Sequence, residues 1–87
     1  MSDKSLLEFP CEFPLKITGK NSQVFRDSVK KVLADELESK DLISIKEQLS
    51  AKGNYLALTV LARFYNQNSL DNLYIKLGKE PDVLMLL

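Results

Sequence analysis

Histidine is absent from this 87-residue chain, and cysteine occurs once, at position 11. Without histidine, Ser-His-Asp and Cys-His catalytic arrangements are excluded within the chain. Histidine-based zinc sites are excluded too, and one cysteine cannot make a thiolate site. A single cysteine closes no internal disulfide, which fits the cytoplasm. No charge of one sign dominates, because 12 Lys plus Arg balance 12 Asp plus Glu. That balance argues against a general polyanion binder and leaves only a local patch open. Apolar runs are short, and none approaches the ~20 residues of a membrane helix. The opening "MSDKSLLEFPCEF" carries charges throughout and lacks the apolar stretch of a signal peptide. The expectation is a cytoplasmic, non-membrane protein with no catalytic residues, no metal and no cofactor.

What remains suits one small domain. A chain of this size buries only roughly 60% of the surface exposed when unfolded. Covering further apolar surface by association would therefore help it.

The most ordered stretch is "SAKGNYLALTVLARFY", residues 50 to 65. It reads as a turn followed by a long strand over 54 to 65. Leu56, Leu58, Val60, Ala62 and Phe64 line one face; Tyr55, Ala57, Thr59, Leu61, Arg63 and Tyr65 line the other. One face must meet a core, and the second needs a purpose.

Residues 1 to 11 read as an arm, in which Leu6, Leu7 and Phe9 can tuck against the domain. A single domain then fills 12 to 87. "FPLKIT", 13 to 18, alternates as a first strand, with Pro14 near its beginning and Gly19 at its end. Residues 22 to 38 read as a helix capped by Asn21 or Ser22, with Phe25, Val29, Val32, Leu33 and Leu37 on one stripe. Asp35, Glu36 and Glu38 near its end oppose the helix dipole. Residues 42 to 49 form a weaker strand with Ile43 and Ile45 inward and Leu49 as a further inward candidate. "AKGN" marks the hairpin turn. Residues 69 to 77 read as a second helix with apolar Leu70, Leu73, Tyr74 and Leu77. Asn68 or Ser69 caps its start, and Gly78 sits where a left-handed residue would end it. "DVLMLL", 82 to 87, is the final strand.

The order β-α-β-β-α-β is the split βαβ, or ferredoxin-like, pattern of an α+β domain. Right-handed crossovers put both helices on one face of a four-stranded antiparallel sheet. The other face stays open and carries Tyr55, Thr59, Leu61, Arg63 and Tyr65, joined by Lys16, Thr18 and Lys46. Leu84 and Leu86 join them if Val83, Met85 and Leu87 point inward.

"LLEFPCEFPLKITG" at 6 to 19, "KGNYLALTV" at 52 to 60 and "LYIKLGKEPDVLMLL" at 73 to 87 resemble the YbeD-like family of small bacterial proteins. The resemblance runs over nearly the whole chain. It implies a ferredoxin-like fold similar to the ACT regulatory domain, the module that binds amino acids in metabolic enzymes. It implies no established activity, and the family's genes sometimes lie near lipoate-attachment genes.

Three candidate sites follow, of which the first is the expectation. The first is the open face with the last strand, an interface formed by Tyr55, Leu61, Arg63, Tyr65, Leu84 and Leu86. A protein partner or a second copy would dock there, since such a face is more apolar than solvation needs. The competing reading is that the arm or long Lys and Arg stems cover it. The second is the loop "TGKNS", with Gly19, Lys20 and Asn21 at a helix start, where a carboxylate or phosphate can meet free N–H groups. That loop supports the alternative of an ACT-like sensor of an amino acid or carboxylate, linked to lipoate metabolism through the resemblance. The Asp-x-x-Gly-like ligand loop of typical ACT domains is missing, and a plain strand-to-helix turn competes. The third is RNA binding on the sheet, because "KGNYLALT" echoes a Lys-Gly lead into aromatics. The expected aromatic positions hold Asn54 and Leu56, and Tyr55 is displaced by one residue, onto the opposite face. Nucleic acid is therefore disfavoured.

Overall fold

A computed structural model describes residues 8–87 of the chain. The elements run β1 (Cys11–Lys20), α1 (Gln23–Glu36), a 3₁₀ turn (Ser39–Asp41), β2 (Leu42–Leu49), β3 (Tyr55–Phe64), α2 (Gln67–Gly78) and β4 (Val83–Leu86). The four strands lie in the order β2-β3-β1-β4, all neighbours antiparallel. Strands 1 and 3 are central, as the split βαβ pattern predicts.

The core grows from the β1–β3 ladder, which pairs Cys11 with Phe64 and runs unbroken to Lys20 opposite Tyr55. Leu15 and Ile17 from β1 and Leu56 to Phe64 at alternate positions of β3 are fully buried beneath the helices. Burying each such side chain contributes about 1.5–3 kcal/mol. The helices close the layer with Phe25, Val29, Val32 and Leu33 from α1 and Leu70, Leu73 and Leu77 from α2. Ser22 caps α1, its hydroxyl accepting the Phe25 N–H at 3.1 Å. Asn66 caps α2, accepting the Ser69 N–H at 2.8 Å, so α2 starts earlier than the Asn68 or Ser69 cap predicts. Each such cap stabilises by about 1 kcal/mol.

Two helix ends depart from expectation. Gly78 is the last helical residue, and among the described residues only Gly53 has a positive φ, +76°. The α2 end is instead closed by the Lys79 N–H, which donates to the Ile75 and Lys76 carbonyls at 3.2 Å. The acidic end of α1 has an explanation from the neighbouring helix. Lys76 of α2 forms an ion pair with Glu36, and this hydrogen-bonded carboxylate raises the Lys76 ammonium above its ordinary range.

Gly19 is fixed by packing. A Cβ there would lie 2.4 Å from Phe25 Cδ1 and 2.6 Å from the Asp82 carbonyl oxygen. The glycine thus lets α1 and the α2–β4 connection both close over the end of β1. Phe9, from the described part of the arm, packs against the helix-side core. Leu6 and Leu7 lie outside the described residues.

Two bulges reset the edge strands. In β2, Leu42 opposes Ala62 and Ser44 opposes Leu61, leaving Ile43 as the extra residue. Leu42 and Ile45 consequently pack on the core, while Ile43 is 44% exposed and does not point inward. In β4, Val83 opposes Gly19 and Met85 opposes Thr18, leaving Leu84 as the extra residue.

Candidate association surface

The open face is built from the residues of β3 and β1 whose neighbours face the helices. Tyr55, Ala57, Thr59, Leu61 and Arg63 alternate along β3 and oppose Lys20, Thr18, Lys16, Pro14 and Glu12 of β1. Lys46 and Gln48 of β2 add a third row, opposite Thr59 and Ala57. The two named tyrosines sit at opposite ends. Tyr55 is 47% exposed and walls a shallow depression of about 260 Å³ with Lys16, Thr18, Gln48 and Ala57.

Tyr65 lies one residue beyond β3, and its hydroxyl donates to Asp41 Oδ1 at 2.6 Å. Asp41 is itself buried. The bond ties the α1–β2 connection to the end of β3. The hydrogen bond to Asp41, followed by desolvation, raises the Tyr65 phenol above its ordinary range. Beside it, Arg63 pairs with Glu12 across the ladder at 3.3 Å, an exposed contact of little energetic weight.

The fourth row comes from β4, and here the bulge overturns an expectation. Leu86 opposes Ile17 and packs on the core. It belongs to the helix side and not to the open face. Met85 opposes Thr18, and Leu87 exchanges both backbone bonds with Lys16, at 3.1 and 2.9 Å. Opposed residues share a face, so Met85 and Leu87 point to the open side. Leu84, the extra residue of the bulge, is exposed. Leu84 and Met85 are each 55% exposed and Leu87 64%. No sequence signal sets this phase, because every residue from 83 to 87 is apolar.

The Lys16–Leu87 pair also explains Pro14 in a central strand. Even-numbered residues of β1 turn their backbone groups toward β4, whose pairing stops at Lys16. The missing N–H of Pro14 therefore removes no ladder bond.

The structure brings Gly19, Lys20 and Asn21 against the hairpin turn. The Asn21 N–H donates to the Asn54 carbonyl and its side-chain Nδ2 to the Gly53 carbonyl, both at 3.0 Å. Asn21 Oδ1 accepts from Arg26 Nη2 at 3.2 Å. With Ser22 occupied as the cap, this loop is a structural junction. An apolar groove of about 420 Å³ lies elsewhere, between α1 and β2, lined by Leu33, Leu37, Leu42 and Ile45 together with Lys30 and Glu38. Among the described residues, no three His, Cys, Asp or Glu are placed to hold a metal ion. No described helix is long and apolar enough to cross a membrane.

These features define a class, a ferredoxin-like α+β domain with one helix-covered and one open sheet face. It superposes on the ACT domain of GTP pyrophosphokinase from Chlorobium tepidum with a TM-score of 0.71 at 17% identity, covering 87% of this chain and 94% of that one. It also matches the Helicobacter pylori protein HP0495 with a TM-score of 0.76 at 12% identity, covering 93% and 85%. At such identities the likeness is one of fold. The chain belongs to the family described as "Protein of unknown function (DUF493)", whose pattern matches residues 4–87. A UPF0250 protein of Nitrosomonas europaea is 38% identical over 87 residues, covering all of both chains.

Proposed function

We propose that this protein is a non-enzymatic association domain whose open face and β4 edge receive an extended segment of another polypeptide. The observation that carries this reading is the combination at β4. Three apolar side chains, Leu84, Met85 and Leu87, are more than half exposed, and they border an edge with unpaired backbone groups. Because Leu87 bonds Lys16, the N–H and C=O of Leu86 point away from the sheet. Edges are usually guarded by charge or proline, and Val83 to Leu87 contain neither. A strand added there gains main-chain bonds, while the adjacent face supplies side-chain contacts. The absence of histidine and the presence of only one cysteine support a role without catalysis. The sensor alternative at Gly19, Lys20 and Asn21 has less support, because the Asn21 amide is committed to the hairpin and to Arg26.

The test is affinity purification of the tagged protein from its native cells. The wild type is expected to retain a stoichiometric polypeptide that the double variant Leu84→Lys, Met85→Lys loses. A helix-side control, Lys31→Glu, retains it. Identical co-purifying sets for all three proteins would overturn the reading.

A further inference from the structure

We infer that the segment received on the open face is acidic, its carboxylates meeting Lys16, Lys20 and Lys46. This chemistry rests on the docking role proposed above and names the kind of partner that the face selects. Lys16 and Lys20 of β1 oppose Thr59 and Tyr55 of β3 and share the open side with them. Lys46 of β2 opposes Thr59 from the other flank. All three lysines are exposed, and none belongs to an ion pair among the described residues.

Their spacing makes one patch. Lys16 and Lys46 are separated by β3, two strand spacings or about 10 Å. Lys16 and Lys20 lie four residues apart on β1, about 13 Å. Between them the small side chains of Thr18 and Ala57 line the depression of about 260 Å³ that Tyr55 and Gln48 also border. A carboxylate side chain of a bound segment can enter this hollow and be reached by the flexible lysine stems around it. The other charges of the face are already matched, because Arg63 holds Glu12 at 3.3 Å. Glu47, next to Lys46 in sequence, opposes Leu58 on the helix side, where Arg26 grips it at 3.2 Å. The formal net charge of the chain is zero, so the basic excess of the open face is a matter of placement.

Other occupants fit worse. Two open faces brought together would set these lysines against one another, which repels a second copy docked face to face. The side chains of residues 1–7 include one acid and one base, Asp3 and Lys4, and bring no net charge. A single-stranded nucleic acid gains from aromatic stacking platforms, and Tyr55 is the one aromatic side chain among the three lysines. The patch is bordered instead by an apolar rim, with Met85 opposite Thr18 and Leu87 bonded to Lys16. A segment that mixes Glu or Asp with apolar residues satisfies both the lysines and the rim.

Fluorescence anisotropy with two dye-labelled octapeptides tests the charge sign. One alternates Val with Glu and the other Val with Lys; an octamer of uridylate is the nucleic-acid probe. The wild-type protein is expected to bind the Glu peptide at least about tenfold tighter than the Lys peptide at about 0.05 M salt, and to lose most of that preference at about 0.5 M. The charge-reversed variant Lys16→Glu, Lys46→Glu is expected to prefer the Lys peptide. Lys16→Gln, Lys46→Gln is the milder pair if the reversed protein does not fold, and it should lose the preference without inverting it. Equal affinity for the two peptides, or an unchanged preference in the variants, would overturn the acidic chemistry and leave the docking role standing. Binding of neither peptide at millimolar concentration would count against both. Tighter binding of the uridylate octamer than of the Glu peptide would overturn the inference in favour of a nucleic acid.

Discussion

Replacing Gly19 by alanine should destabilise the domain through contact alone. The backbone there is not left-handed, so no dihedral penalty enters. The added Cβ would meet Phe25 Cδ1 at 2.4 Å, Phe25 Cε1 at 2.5 Å and the Asp82 carbonyl at 2.6 Å. Phe25 is fully buried in the core cluster and cannot swing aside without disturbing its packing. Overpacking of this kind costs about 1–3 kcal/mol, and a backbone contact places it toward the upper end. The stiffer unfolded chain returns about 0.4–1 kcal/mol. A net loss of about 2 kcal/mol remains, a fall in Tm of about 8–16 °C for a domain of this size. Thermal unfolding followed by circular dichroism reads it. In a Phe25→Leu background the ring is gone and the same substitution should cost about 1 kcal/mol less, the coupling expected of residues in contact. A Tm within about 2 °C of wild type, or an equal penalty in both backgrounds, would refute the packing role of this glycine.

Leu86→Ala should cost about 2 kcal/mol, because Leu86 packs on the core, whereas Met85→Ala should stay within about 0.5 kcal/mol; denaturant midpoints reversed in order would place the β4 bulge wrongly. Tyr65→Phe should remove one late-ionising step from the ultraviolet tyrosine titration, since hydrogen bonding to Asp41 raises that phenol. The sign for stability follows from a raised folded-state pKa: the contribution is complete below about pH 10, the unfolded value, and is lost as pH rises through the folded value. The wild type should therefore lose more stability than Tyr65→Phe on going to strongly alkaline pH, and parallel pH profiles would count against the Tyr65–Asp41 bond.

The fold was legible where polar and apolar residues alternate or recur at helical spacing. Leu56 to Phe64 against Tyr55 to Arg63 set the phase of β3 from sequence, and the register with β1 fixed the open face. Phe25, Val29, Val32 and Leu33 did the same for α1. Legibility failed at β4, where Val83 to Leu87 offer no polar residue to mark a face and the bulge at Leu84 exchanges Leu86 for Met85 and Leu87. It failed in β2 for a related reason: "LISI" fits either phase, and the bulge at Ile43 selects Leu42 and Ile45. The role of Asn21 was invisible because its partners, Gly53 and Asn54, are distant in sequence and become neighbours only when the hairpin turn meets the start of α1.

The account rests on the open face and the β4 edge being covered by another polypeptide in the cell. Site-specific photo-cross-linking tests this most directly. A photoreactive residue is placed in turn at Tyr55, Leu84 and Met85, with Lys31 on the helix side as control, and the native cells are irradiated. The account predicts one discrete adduct from all three sheet positions and none from position 31, and mass spectrometry of the adduct identifies the occupant. Adducts no more abundant at positions 55, 84 and 85 than at position 31 would contradict it.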